Sequence, residues 1–430
     1  MKKLIIAIPF LASLSFAETS TLNLGVDYKL TAVLSDNDAI VPSVGSSLSY
    51  YTHQLRPYLT TQLNSQVEAV FRLQSINLWG QETSTGPAGT RFPKADGTPW
   101  VENAYLRMPG LAWNRLELTL GRQPLLIGDG TLVSDDNAGM NALRARIALP
   151  KGVGLDLFTA KVEEAASGHN DFDLNAAVLA LAQGDTRWEL AWVQESNGAP
   201  SAYALAGTTT AASAIQRTFY DLRIFGDLKD AYYKLELGIQ DGAVRQTSGG
   251  DIALSGTAQR VEVGAQTDTA RFGRFGVWAV YASGTGDDPS TTNEDEAFRA
   301  TFAKRWDGLR RIGFGQYYAA TVSDAHDPSA PFSSESTGLP PGASGIKTIG
   351  LGVSTVQKVR WTASLGYYIY DAKRKVAGKN SLGAELDAVL EFRPADVGFR
   401  FGAAAFFPGD LYGPSAANVT RLTAETTFHF

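Results

Sequence analysis

The last strand-sized stretch does most to limit what this chain can become. From Thr420 to Phe430, alternate residues separate into two faces. Thr420, Leu422, Ala424, Thr426, Phe428 and Phe430 lie on one, and Arg421, Thr423, Glu425, Thr427 and His429 on the other. The segment before it repeats the pattern, with Phe399, Phe401, Ala403, Ala405 and Phe407 on one side and Arg400 on the other. One face is apolar enough for lipid and the other polar enough for water. A period of two over about ten residues, with no continuous apolar run, is the pattern of a strand that crosses a membrane. A strand of a soluble sandwich alternates too, so the rest of the chain has to decide.

The N-terminus reads MKKLIIAIPFLASLSFA. Lys2 and Lys3 form a basic start, Leu4 to Leu14 an apolar run, and Ser15-Phe16-Ala17 a small-x-small cleavage site, so residues 1–17 are expected to be a secretory signal peptide. Beyond it no stretch reaches the roughly 18 continuous apolar residues of a spanning helix. An exported, membrane-embedded chain without such helices has to close a barrel, because lipid offers no partner to an unpaired backbone N–H or C=O. A chain that ends on an aromatic residue of the lipid face, Phe430, agrees with closure by the last strand. Cysteine is absent, which removes disulfides and thiolate metal sites. The net charge of −6, or −8 once Lys2 and Lys3 are removed, gives a nucleic-acid partner no support. No linker or shift in composition divides residues 18–430, which are read as one barrel domain.

The connections carry the strongest pattern. Short turns are expected at Ser65, PGLAWN, PKG, QGDT, GDLKDA, the TDTARFG region, QKVR and RPADVG. Long polar connections are expected at 80–99, 128–140, 194–214, 241–254, 283–295, 322–345, 371–381 and 408–417, so that short and long alternate throughout. One end of each hairpin then faces the periplasm and the other the exterior. The predicted fold is an all-β, transmembrane, antiparallel up-and-down barrel in the outer membrane of a Gram-negative-type bacterium. It has about 18 strands, within a range of 16 to 20. The pair 296–306 and 309–320 decides between 20, if it lies in the wall, and 18, if it forms a hairpin in an external loop.

With the apolar face against lipid, the opposite face lines the lumen. That parity turns Arg56, Glu68, Arg72, Arg144, Arg146, Arg187, Glu189, Asp221, Arg223, Lys234, Glu236, Arg260, Glu262, Glu385, Asp387, Arg400, Arg421 and Glu425 inward. Leu116, Leu118, Leu120, Trp188, Leu190, Leu235, Trp361, Leu365 and Tyr367 face out. Arg122 shares parity with Leu120, so either a bulge at Gly121 turns it inward or it snorkels at the interface. Arginines interleaved with carboxylates can filter charge in a pore. They can equally be ion pairs that fill a wall, and an anion filter requires them to gather at one constriction.

The closing RFGAAAFFPGDLYGP, LRPYL at 55–59, and YLRMPGL followed by LTLGRQ across 105–123 are together similar to motifs of the bacterial alginate-export porins. The resemblance implies a monomeric barrel of 18 strands that passes an anionic uronic-acid polysaccharide, which places 296–320 in an external hairpin. It matches Arg56, Arg122 and Arg400 to family arginines. A second closing-strand arginine is replaced by Gly402, the one after GRQ by Pro124, and Arg107 stands where the family has an acid. With parity, these matches give Arg56, Arg72, Arg107, Arg122, Arg144, Arg146, Arg223, Arg400 and Arg421 as the expected solute path.

His53, His169, His326 and His429 have no metal-ligand spacing, and His53 and His429, expected in strands with lumen parity, complete no Ser–His pair. No cofactor and no enzymatic role are expected. GDGTLVSDDN (128–137) is acidic enough to hold a divalent cation, but reads first as a solvated loop. The leading functional expectation is an outer-membrane channel for an alginate-like anionic poly- or oligosaccharide, with possible periplasmic export partners. The alternatives are a general diffusion porin for small hydrophilic solutes, and a structural or adhesive barrel whose lumen is blocked, for instance by 322–345.

Overall fold

The computed structural model describes residues 21–40, 47–79, 94–164, 171–198, 200, 203–205, 208–269, 273–324, 339–340, 342–356 and 360–430. The expected signal peptide, His169 and His326 lie outside them. Eighteen strands form the wall. The first nine are β1 (Leu22–Asp36), β2 (Leu48–Asn64), β3 (Val67–Leu78), β4 (Trp100–Gly110), β5 (Leu116–Gln123), β6 (Met140–Leu149), β7 (Val153–Glu163), β8 (Phe172–Gln183) and β9 (Thr186–Asn197). They are followed by β10 (Ala212–Leu228), β11 (Ala231–Gln246), β12 (Ile252–Thr269), β13 (Gly273–Gly284) and β14 (Ile346–Val356). The last four are β15 (Trp361–Val376), β16 (Lys379–Phe392), β17 (Val397–Pro408) and β18 (Val419–His429). Each pairs antiparallel with the next, and β18 pairs with β1 from Asp27↔His429 to Asp36↔Thr420, so the sheet closes without an edge. Phe430 completes the seam, exchanging backbone hydrogen bonds of 2.9 and 3.0 Å with Val26.

The faces follow the expected parity. Leu120, Trp188, Leu190, Leu235, Trp361, Leu365, Tyr367, Phe401, Phe407 and Leu422 are exposed on the outside, an apolar belt suited to a bilayer. Charge on that belt costs about 2–4 kcal/mol per Arg or Lys at mid-depth, which fixes the register of every strand. His53 breaks the expectation. It shares a face with Tyr51 and Leu55 on the outside, where its Nδ1 accepts a hydrogen bond from the Trp79 indole at 2.8 Å. His429 does face the lumen, 2.9 Å from Asp27.

The strict alternation of short and long connections does not hold. The supposed long connection at 371–381 is a turn of two residues, Ala377 and Gly378, both with positive φ as such hairpins need. The one at 241–254 shrinks to 247–251. In both, the strands continue beyond the expected ends, to Gln246 and to Val376.

The greater difference is inside. Residues 296–320 are neither wall strands nor an external hairpin. The segment after β13 folds into the lumen, where Glu294–Asp295 pairs parallel with Ala253–Leu254 of β12 and Trp306–Asp307 forms a short hairpin with Arg310–Arg311. Its Phe298, Ala300, Phe302 and Val322 pack with Leu132 and Val133 of the 124–139 connection against Phe158, Leu174, Val193 and Phe219 of the wall. A second cluster joins Tyr318 and Ala320 to Tyr370, Leu382 and Phe406. The hydrophobic core thus sits within the barrel. Gly256 makes room for it, since a Cβ there would come 2.7 Å from the Phe298 Cα.

Candidate functional site

The inward segment crosses the lumen from one wall to another. Near β9 to β12, Thr301 donates to Glu195 at 2.6 Å, and Gln240 accepts the Arg299 N–H at 2.8 Å. Its middle reaches β1 and β18, where Asp307 meets Lys29 at 2.6 Å and Arg310 lies 3.6 Å from Glu425. Burial pushes the Asp307 carboxyl up, but Lys29, Arg310 and Arg56 outweigh that and hold it below its usual range. Its tip reaches β16, where Glu385 accepts the N–H groups of Gln316, Tyr317 and Tyr318 at 2.7, 2.7 and 3.0 Å. Gly315 precedes that cradle with φ 88°, and a side chain there would collide with the Tyr370 hydroxyl.

The nine arginines expected along the path divide by what they hold. Arg56 grips Glu102 through both nitrogens of one edge, and Arg72 lies 3.8 Å from the same carboxylate and 3.7 Å from Asp27. Arg107, Arg144 and Arg146 form a second group. Arg107 meets Glu117 at 2.8 Å and Glu68 at 3.4 Å, Arg146 bridges Glu117 and Asp156, and Arg144 donates to Asp156 at 2.9 Å. Arg107 and Arg146 remain 44% and 50% exposed, so pairing leaves them facing open lumen.

The other four sit apart and anchor connections. Arg223 joins Asp129 of the 124–139 connection to Glu189, and Arg400 donates to Gln316 at 2.7 Å. Arg421 pairs with Asp38 and lies 4.7 Å from the Tyr317 ring centroid. Arg122 donates to the carbonyls of Val101 and Ala138 at 2.9 and 2.7 Å. Gly121 beside it has φ 115°, yet β5 stays in register with β6 across it. The irregularity lies opposite, in β4, where the pairing skips from Arg72↔Asn103 to Leu73↔Val101.

Residues 128–137 are not a solvated loop. Leu132 and Val133 are buried, and Asp129 receives Lys234, Arg223 and Arg260. Burial raises its pKa, but these three cations lower it further, to a net value below the usual range. Asp135 is pushed up to about 6 by burial, against a hydrogen bond from the Gly139 N–H and with help from Glu102 and Asp136. Parity had located most of the wall cations but passed over Lys29 of β1, and it could not reach Asp307, Arg310 and the buried Arg299 and Arg305, because the period of two says nothing about residues between strands.

A family model described as "Alginate export" matches residues 20–319. A search of curated proteins finds no match. Solved structures with the same fold include Pseudomonas aeruginosa OccK9 (OpdG), 11% identical with a TM-score of 0.58 over 95% of this chain and 98% of that one. Pseudomonas aeruginosa OccK3 (OpdO) is 10% identical with a TM-score of 0.57, over 95% of each chain. Acinetobacter baumannii OccAB1 is 7% identical with a TM-score of 0.57, over 95% of this chain and 96% of that one.

Proposed function

This chain belongs to the alginate export family and is an integral outer-membrane channel, and from that premise we propose that it carries an anionic poly- or oligosaccharide along its arginine-lined lumen. The observation that carries the reading is that Arg107 and Arg146 stay about half exposed although each has two carboxylate partners. A guanidinium used only as wall filling would be enclosed by its partners. An exposed one has donors left for a passing carboxylate and meets it with little desolvation cost. In this reading Arg56 and Arg72 continue the path, while Arg122, Arg223, Arg400 and Arg421 act indirectly by holding the inward connections. The channel works as a monomer, is not an enzyme, and takes any direction of transport from periplasmic partners and the solute gradient.

The test is the zero-current potential of the refolded chain in a planar bilayer under a salt gradient. Wild type should prefer anions, and Arg72→Glu with Arg107→Glu should move the potential toward cations. An unchanged potential would remove the filter. A second reading, a barrel with a closed lumen, is favoured by the segment that crosses from β9 to β16. It predicts no current from wild type and none after the segment is shortened.

A further inference from the structure

A cavity of about 710 Å³ opens on the lumen side of the wall between β5 and β9, at the end with the short turns. In such barrels that end faces the periplasm. Its floor is a lateral row of small residues, in which Ala148 pairs with Gly154, and Gly154 with Ala180. A Cβ built on Gly154 would touch nothing closer than the Ala180 Cβ at 4.0 Å, so the floor is open rather than filled. Arg115, whose carbonyl accepts the Ala148 N–H at 2.8 Å, stands at one end of the row. On β9 the row meets Glu189, which is held by Arg223, and Arg187, opposite Ala182, stands two residues along from it.

Arg115 and Arg187 are both exposed, and neither has an ion-pair partner among the described residues. Arg146, two residues before Ala148 on β6, also lines the cavity. Of the carboxylates that line the cavity, Glu117 and Asp156 pair with Arg146, and Glu189 pairs with Arg223 of β10. Arg115 and Arg187 are the two lining guanidiniums that no carboxylate among the described residues engages. From β5 to β9 is four interstrand spacings, roughly 19 Å. No single small anion spans that distance, whereas an extended chain with a carboxylate on each unit does. The lack of side chains on the floor lets such a chain lie against the wall.

We propose that this cavity is an entry subsite where a linear oligosaccharide bearing carboxylates docks before it enters the lumen, held at its ends by Arg115 and Arg187. The inference rests on the reading of the barrel as an anionic-saccharide channel. It adds two residues that neither motif nor family match had marked as path. Because both are exposed and unpaired, their loss leaves no buried charge behind, and folding of the variants can be checked by their heat-modifiable migration on gels.

The experiment is current block of the full chain by a galacturonate oligomer, added to one side at a time. Wild type should be blocked from the short-turn side, and Arg115→Gln with Arg187→Gln should lower the block association rate about tenfold, the scale of lost electrostatic steering. Block by monomeric galacturonate should not distinguish the two proteins. If the oligomer blocks wild type and the double variant at equal rates, the subsite is wrong while the channel reading stands. A wild-type current that ignores the oligomer from both sides overturns both.

Discussion

Glu385 offers the sharpest test of how the lumen is narrowed. Its carboxylate accepts three backbone N–H groups from the tip of the inward segment, and the Tyr370 hydroxyl lies 3.1 Å from it. In Glu385→Ala, the Gln316 N–H keeps Asp387 as acceptor at 3.0 Å, but those of Tyr317 and Tyr318 lose theirs. A hydrogen bond to a charged group contributes about 1.5–3 kcal/mol, so the two lost bonds weaken the seating of the tip by about 3–6 kcal/mol. At roughly 1.4 kcal/mol per factor of ten, even the lower figure raises the ratio of released to seated tip on the order of 100-fold. Asp307 with Lys29 and Thr301 with Glu195 are untouched, so only the tip moves and the barrel stays closed. Single-channel recording should show frequent excursions to a higher conductance level, with Glu385→Gln intermediate because it keeps one acceptor oxygen. A folded Glu385→Ala channel with wild-type conductance and noise would refute the idea that this cradle holds the constriction.

Three further outcomes follow from other parts of the molecule. Asp135, with a folded-state pKa of about 6 against an ordinary value near 4, binds its proton more tightly when the 124–139 connection is seated. The connection is therefore most stable below pH 4 and loosens as pH rises through 6, which hydrogen exchange should detect in wild type and not in Asp135→Asn. Glu102, 1% exposed, compensates Arg56 and Arg72, and Glu102→Leu should cost at most about 3–5 kcal/mol by leaving two part-buried cations without it, lowering the thermal midpoint in detergent. Leu365 lies on the outer belt at 53% exposure, and Leu365→Arg should cost about 2–4 kcal/mol in lipid, while retention of wild-type stability would place that residue outside the membrane.

What the sequence made legible is what lipid enforces. Leu118 to Leu120, Trp188 to Trp192 and Phe399 to Phe407 can occupy only one register once one face must be apolar, so strands, faces and most short turns follow from alternation alone. The interior obeys no such rule. Phe158, Leu174, Phe219 and Phe406 sit at lumen parity and should have been polar in a water-filled tube. They were the readable sign that something apolar packs inside, and the Phe298 to Val322 stretch is its partner. That partner carries no period because it neither crosses lipid nor joins the wall. For the same reason parity and the family match selected wall arginines but could not separate Arg107 and Arg146, which face open space, from Arg223 and Arg400, which hold connections in place. His53 went to the wrong face although Leu55 and Arg56 beside it had fixed the parity of the strand.

The central claim is that charge on the solute governs passage. Proteoliposomes containing the full chain can be loaded by external galacturonate oligomers or by neutral glucose oligomers of equal length, with empty liposomes as the background. The account predicts faster entry of the uronate, and loss of that advantage when salt screens the lumen arginines. Equal rates, or a faster neutral oligomer, would contradict it and leave a barrel that sorts solutes by size alone.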